Sequence, residues 1–175
     1  MLLILFLVVF SSVEEEDTDR QEDEEEEVTS VSLFSYPESG DYRVGDSFDL
    51  DIYLDTNGED VVVVSAFLDY NSAVFEAVSV DVDGSVFEMT MESVIDNEEG
   101  SVRVVQGMPN PGVNTGEGLV ATVEFRALAD TGTSSEYITF KFDPGSDSSS
   151  DVLVNDGRGT DILDEVRSAE IVVTE

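Results

Sequence analysis

The sequence predicts an all-β protein, a two-sheet antiparallel sandwich of about nine short strands. Three observations lead there. Beyond Val28 the apolar residues recur every second position, glycine-containing turn pairs punctuate the chain at short intervals, and no stretch carries a helical stripe.

In chain order, the first strand is expected near Val31 to Phe34. The next has the clearest alternation, with Phe48, Leu50, Ile52 and Leu54 on one face and Asp49, Asp51, Tyr53 and Asp55 on the other. A third places Val62, Val64, Ala66, Leu68 and Tyr70 inward and Val63, Ser65, Phe67 and Asp69 outward. Shorter runs predict strands near Val78 to Val82, Val86 to Met91 and Val102 to Gln106. A long one follows, with Leu119, Ala121, Val123 and Phe125 inward against Val120, Thr122, Glu124 and Arg126, and then two more near Ile138 to Phe142 and Ala169 to Val173. Asn57-Gly58, Asp83-Gly84, Glu99-Gly100, Pro109 to Gly118 and Thr131-Gly132 separate these runs as turns. The Gly/Ser/Asp-rich stretch Pro144 to Gly159 reads as a long loop.

The chain has 175 residues, enough for one folded unit with a hydrophobic core. Residues 1–12 resemble the apolar part and small-residue end of an export signal, without the usual basic start, and are too few to span a bilayer. Residues 13–27 form an acidic linker, since Glu14 to Glu27 holds eleven acids, one Arg and no apolar side chain to bury. The folded domain is then 28–175, and the expected location is secreted or cell-surface, with membrane contact only through an N-terminal signal or anchor.

Forty-one Asp and Glu face seven basic residues, of which Lys141 is the sole lysine, for a formal net charge of -34. A nucleic-acid partner is excluded on that balance. Such a surface repels itself in dilute buffer, and about 1 M salt shrinks the Debye length to about 3 Å, so the composition is that of a protein suited to brine. With no Cys and no His, the chain has no thiol nucleophile, no imidazole base, no disulfide and no thiolate or imidazole zinc site.

Four stretches carry a family likeness: Val44-Gly45-Asp46-Ser47-Phe48, Tyr70-Asn71-Ser72-Ala73-Val74-Phe75-Glu76, Gly118-Leu119-Val120-Ala121-Thr122-Val123-Glu124-Phe125, and Asp151-Val152-Leu153-Val154-Asn155-Asp156-Gly157. In that order the chain resembles the cohesin family from about Val31 to Val173. The resemblance implies a nine-stranded jelly-roll sandwich related to carbohydrate-binding modules, non-catalytic, that captures a dockerin-type protein domain in polysaccharide-degrading or cell-surface assemblies. It also implies that the partner covers one sheet face, here the outward Val63, Ser65, Phe67 and Asp69, with Arg103 and Val105 (and Gly107) on one neighbour and Tyr137, Thr139 and Lys141 on another. Cohesins of cellulosomes carry Asn and Asp where Val63 and Ser65 stand, so partner identity does not carry over. The outward apolar pair Val63 and Phe67 is either a partner patch or the underside of a covering loop.

Other constellations are weaker. Asp130-Thr131-Gly132 has the letters of an aspartic-protease loop, yet no second copy stands in the chain to share its proton. Carboxylate pairs suited to glycoside hydrolysis arise by chance among so many acids. Asp143, Asp147, Asp151, Asn155, Asp156, Asp161 and Asp164 are oxygen donors of the kind calcium takes; their spacing excludes an EF-hand but leaves room for an irregular site. No cofactor is required. The alternative function is carbohydrate binding, for which Tyr42, Tyr53 and Tyr137 are the available aromatics in a chain without Trp.

Overall fold

The computed structural model describes residues 30–146 and 148–175. The signal-like segment and the acidic linker expected over 1–27 lie outside the described residues, as does Asp147.

Period-two patterning produces strands throughout: β1 (Ser32–Tyr36), β2 (Ser39–Arg43), β3 (Ser47–Asp55), β4 (Val61–Asp69), β5 (Phe75–Asp81), β6 (Met89–Asp96), β7 (Ser101–Gly107), β8 (Gly118–Ala127), β9 (Glu136–Phe140), β10 (Asp151–Val154), β11 (Glu165–Arg167) and β12 (Ala169–Thr174). They form two sheets. One runs β11-β1-β3-β8-β5; the other runs β2-β12-β9-β4-β7-β6, with β10 also paired to β4.

Each of the nine expected positions holds a strand, and β2, β10 and β11 are additional. The sandwich is antiparallel as expected except at two edges, where β1 with β11 and β12 with β2 pair in parallel. These two short outer strands cap one edge of each sheet, where few alternating apolar residues are needed. β10 lies inside the stretch expected to be loop, and it forms because Val152 fills a fully buried position while its backbone pairs with β4.

Two phase expectations also change. Alternation predicts Val62 on the core face of β4, but the register with β10 skips it, so Val61 is fully buried and Val62 only half-buried. In β8, Val120 is skipped between Ala121 and Leu119 opposite β3; Val120 enters the core and Leu119 is half-buried. A bulge adds one residue and so reverses which neighbour points inward. The strand expected from Val86 begins instead at Met89, with the Val86 N–H bonded to the Leu119 carbonyl at 2.9 Å.

The core lies between the sheets. Leu50, Ile52, Leu54 and Phe125 from one sheet meet Val64, Ala66, Leu68 and Val104 from the other, all fully buried. Each large apolar side chain so buried contributes about 1.5–3 kcal/mol. Aromatic rings bridge the layers, with Tyr42 stacked on Phe48 at 4.2 Å and Tyr70 edge-on to Phe125 at 5.2 Å. Gly100 in the β6–β7 turn brings that hairpin against the end of β4. Its φ is 70°, it accepts the Tyr70 N–H at 2.8 Å, and a Cβ there would lie 2.2 Å from the Tyr70 carbonyl oxygen.

Candidate partner-binding face

The outer surface of β6, β7, β4, β10 and the end of β9 forms a grid of four rows, because register and alternation put every second residue of each strand on this side. The end row is Asp96, Ser101, Asp69 and Thr139. The next is Val94, Arg103 and Phe67, completed by Lys141, whose N–H donates to the Phe67 carbonyl at 2.8 Å. Glu92, Val105, Ser65 and Asp151 follow, and then Met89, Gly107, Val63 and Leu153. Rows are about 6.7 Å apart and neighbours within a row about 4.8 Å.

The grid therefore unites Val63, Ser65, Phe67, Asp69, Arg103, Val105, Thr139 and Lys141 on one face. Tyr137 is exposed, but it pairs with Glu170 of β12 and stands one row beyond the end row, at the margin. Ser65 needs correcting as a contact residue: it is only 7% exposed, and its hydroxyl is engaged by Asp151. Asp151 stands beside it on β10, and Val63 and Phe67 are half-buried.

Sequence reasoning missed Met89, Met91, Val94 and Leu153. The first three are 46%, 54% and 45% exposed, a concentration of bare apolar surface on one edge strand of an acidic molecule. Gly107 makes room for the methionines, since a Cβ there would lie 3.3 Å from the Met89 methyl and 3.4 Å from that of Met91. The signal available was the pair Met89 and Met91 two residues apart. A bulge at Met91 breaks the alternation that would have placed them.

Backbone ties hold Phe67 in place. Its N–H donates to the Ser150 hydroxyl at 3.0 Å, and that hydroxyl lies 3.3 Å from the Phe67 carbonyl. The Arg103 guanidinium sits 5.8 Å from the Phe67 ring and 3.8 Å from Glu92. Phe67, Asp69, Glu92, Arg103, Lys141 and Ser148 border an open cleft of about 660 Å³. Asp151 has one buried carboxylate oxygen without a hydrogen-bond partner. Burial pushes its carboxyl above the ordinary range, the nearby charge of Asp161 adds to this, and the Ser65 hydrogen bond opposes it.

Among the described residues the rival constellations do not assemble. Asp130 lies in the exposed β8–β9 connection, where its carboxylate accepts the Gly132 N–H. Asp156 and Asp161 accept backbone N–H groups, from Arg158 at 2.8 Å and from Val152 at 3.0 Å. Among the described residues no three acidic side chains converge to hold a metal. The three tyrosines share no plane: Tyr42 lies on Phe48, Tyr53 is stacked on Phe34 at 5.5 Å in the other sheet, and Tyr137 stands apart.

Comparison with known proteins follows this architecture. The solution structure of CaCohA2 from Clostridium acetobutylicum is similar at 16% identity and a TM-score of 0.60, covering 83% of this chain and 92% of that one. A cohesin module from a Clostridium perfringens family 33 glycoside hydrolase matches at 16% identity and 0.62, covering 84% and 98%. The Coh-OlpA–Doc918 structure, a type I cohesin–dockerin complex from Clostridium thermocellum, matches at 14% and 0.64, covering 83% and 100%. No curated protein matches the chain. The Cohesin domain family model matches residues 35–161, most of the folded region, and the chain belongs to the cohesin domain family.

Proposed function

We propose that this chain is a non-catalytic cohesin module that binds a dockerin-type protein domain on the β4–β6–β7–β10 face, in a secreted or cell-surface assembly. Residues 1–12 then serve export and 13–27 a tether. The observation that carries the reading is the exposed apolar surface of Met89, Met91 and Val94 beside half-buried Phe67 and Val63, in a molecule whose other surfaces are mostly acidic. Support comes from the solved relatives of the same fold, among them cohesins bound to dockerins.

The test measures binding to a panel of dockerin modules by calorimetry alongside thermal melting. Met91→Ala and Phe67→Ala are expected to weaken association by about 1–3 kcal/mol each, as anchors near an interface centre do. Met91→Ala leaves the melting midpoint within a few degrees, because its side chain is exposed. Retention on polysaccharide that is lost in Tyr137→Ala and unaffected by Met91→Ala would replace the protein partner with a sugar.

A further inference from the structure

We propose that the partner element on this face presents a carboxylate to the row Arg103–Phe67–Lys141, and that this contact fixes its register. The inference rests on the dockerin-binding reading and adds the chemistry of the contact. Six of the seven basic residues lie among the described residues, and two of those six flank one phenylalanine. Arg103 stands opposite Phe67 on β7, and Lys141 is its neighbour on the other side. Lys141 forms no ion pair among the described residues, and the contact of Arg103 with Glu92 is long and largely exposed.

On a chain with a net charge of -34, a basic ligand is attracted to almost any surface, so basic groups cannot single out one face. A carboxylate is repelled over most of the surface, and on this face the cations it meets are these two. The neighbouring rows sharpen this. A partner shifted by one row, about 6.7 Å, would set its acid against Asp69 and Asp96 on one side or Glu92 and Asp151 on the other. Like-charge contact in both wrong registers and attraction in one is a discriminating arrangement. The apolar row of Met89, Val63 and Leu153, two rows away, supplies adhesion without specifying position.

The experiment is a display selection at the lowest salt at which the chain stays folded, using a library of one dockerin module randomised at its helix-surface positions. The wild-type chain is expected to enrich Asp or Glu at one fixed position. The selected binders should bind the double variant Arg103→Glu, Lys141→Glu about fivefold or more weakly, and changing their enriched acid to Lys should restore affinity for that variant. Lys141→Gln, neutral and exposed, should show a smaller loss, and melting curves check that each variant is folded. Enrichment of no acid, or charge reversal that leaves affinity within twofold, overturns the inference while the dockerin-binding reading stands. A library from which nothing binds overturns that reading and this inference together.

Discussion

At the scale of single residues, two buried polar groups are stabilised incompletely, and each makes a measurable demand on the fold. Gln106 is 1% exposed, and its carboxamide oxygen accepts the Thr90 hydroxyl at 3.3 Å while its NH2 has no partner. An unpaired buried donor costs about 1–3 kcal/mol, whereas the Thr90 hydroxyl is exposed and has water available. Gln106→Met, close in shape, should therefore raise stability by about 1 kcal/mol in denaturant titration, and a loss of stability would refute the orphaned-amide account. Asp151 gives a pH signature. Its folded-state carboxyl titrates above its unfolded value, so the stability it contributes is full below the ordinary carboxylate range and is lost as pH rises through the raised folded value. Asp151→Asn should melt higher than wild type at neutral pH, with the difference shrinking as pH falls towards about 4. A gap of constant size across that range would show that burial of the charge is not the cause.

At the scale of elements, the proposed binding face depends on the β6–β7 hairpin, which supplies Met89, Met91, Val94, Arg103 and Val105. One side chain in its turn region ties it to the opposite sheet. Asn97 accepts the Tyr70 hydroxyl at 2.5 Å and the Ala77 N–H at 2.9 Å, and its NH2 donates to the Ala77 carbonyl at 3.0 Å. Asn97→Ala leaves both Ala77 backbone groups at the bulge in β5 and the Tyr70 hydroxyl without this partner and should cost about 1–3 kcal/mol, with faster hydrogen exchange in β6 and β7 than in β3 and β8. Uniform exchange would show that Asn97 is incidental. The same elements mark how far the sequence could be read. The nine strand positions and the buried face of β3 were legible because strict alternation from Phe48 to Leu54 leaves one solution. The candidate face was anticipated through the family resemblance, and pairing places Phe67, Arg103 and Lys141 of that expectation in one row. The bulges at Val62 and Val120 were not legible, because each is set by pairing with a strand distant in the chain, and the one at Met91 interrupts an alternation too short to reveal it. β10 was hidden for a similar reason: in an Asp- and Ser-rich stretch, only contact with β4 makes Val152 a core residue, and it sets Asp151 beside Ser65.

For the whole molecule the dominant unbalanced quantity is charge. Among the described residues three ion pairs form, all between exposed side chains, and such pairs contribute little. Against them stands a like-charge pair in register: Asp49 of β3 lies directly opposite Glu124 of β8, with Asp51 on the same outer face. Directly opposed like charges destabilise a sheet, and the repulsion acts over a Debye length of about 10 Å at 0.1 M salt and about 3 Å at 1 M. The thermal midpoint should therefore rise steeply between dilute buffer and about 2 M potassium chloride, and an unchanged midpoint would refute the reading of the composition as suited to brine. Salt also acts on apolar burial, so a rise alone does not isolate the electrostatic part. Asp49→Lys does isolate it. The substitution turns the Asp49–Glu124 opposition into a pair at an exposed position and leaves the core untouched. If self-repulsion limits stability, the variant melts above wild type in dilute buffer and the two curves converge towards 2 M, where both attraction and repulsion are screened. Parallel curves, with the same offset at every salt concentration, would assign the salt effect to burial rather than to charge.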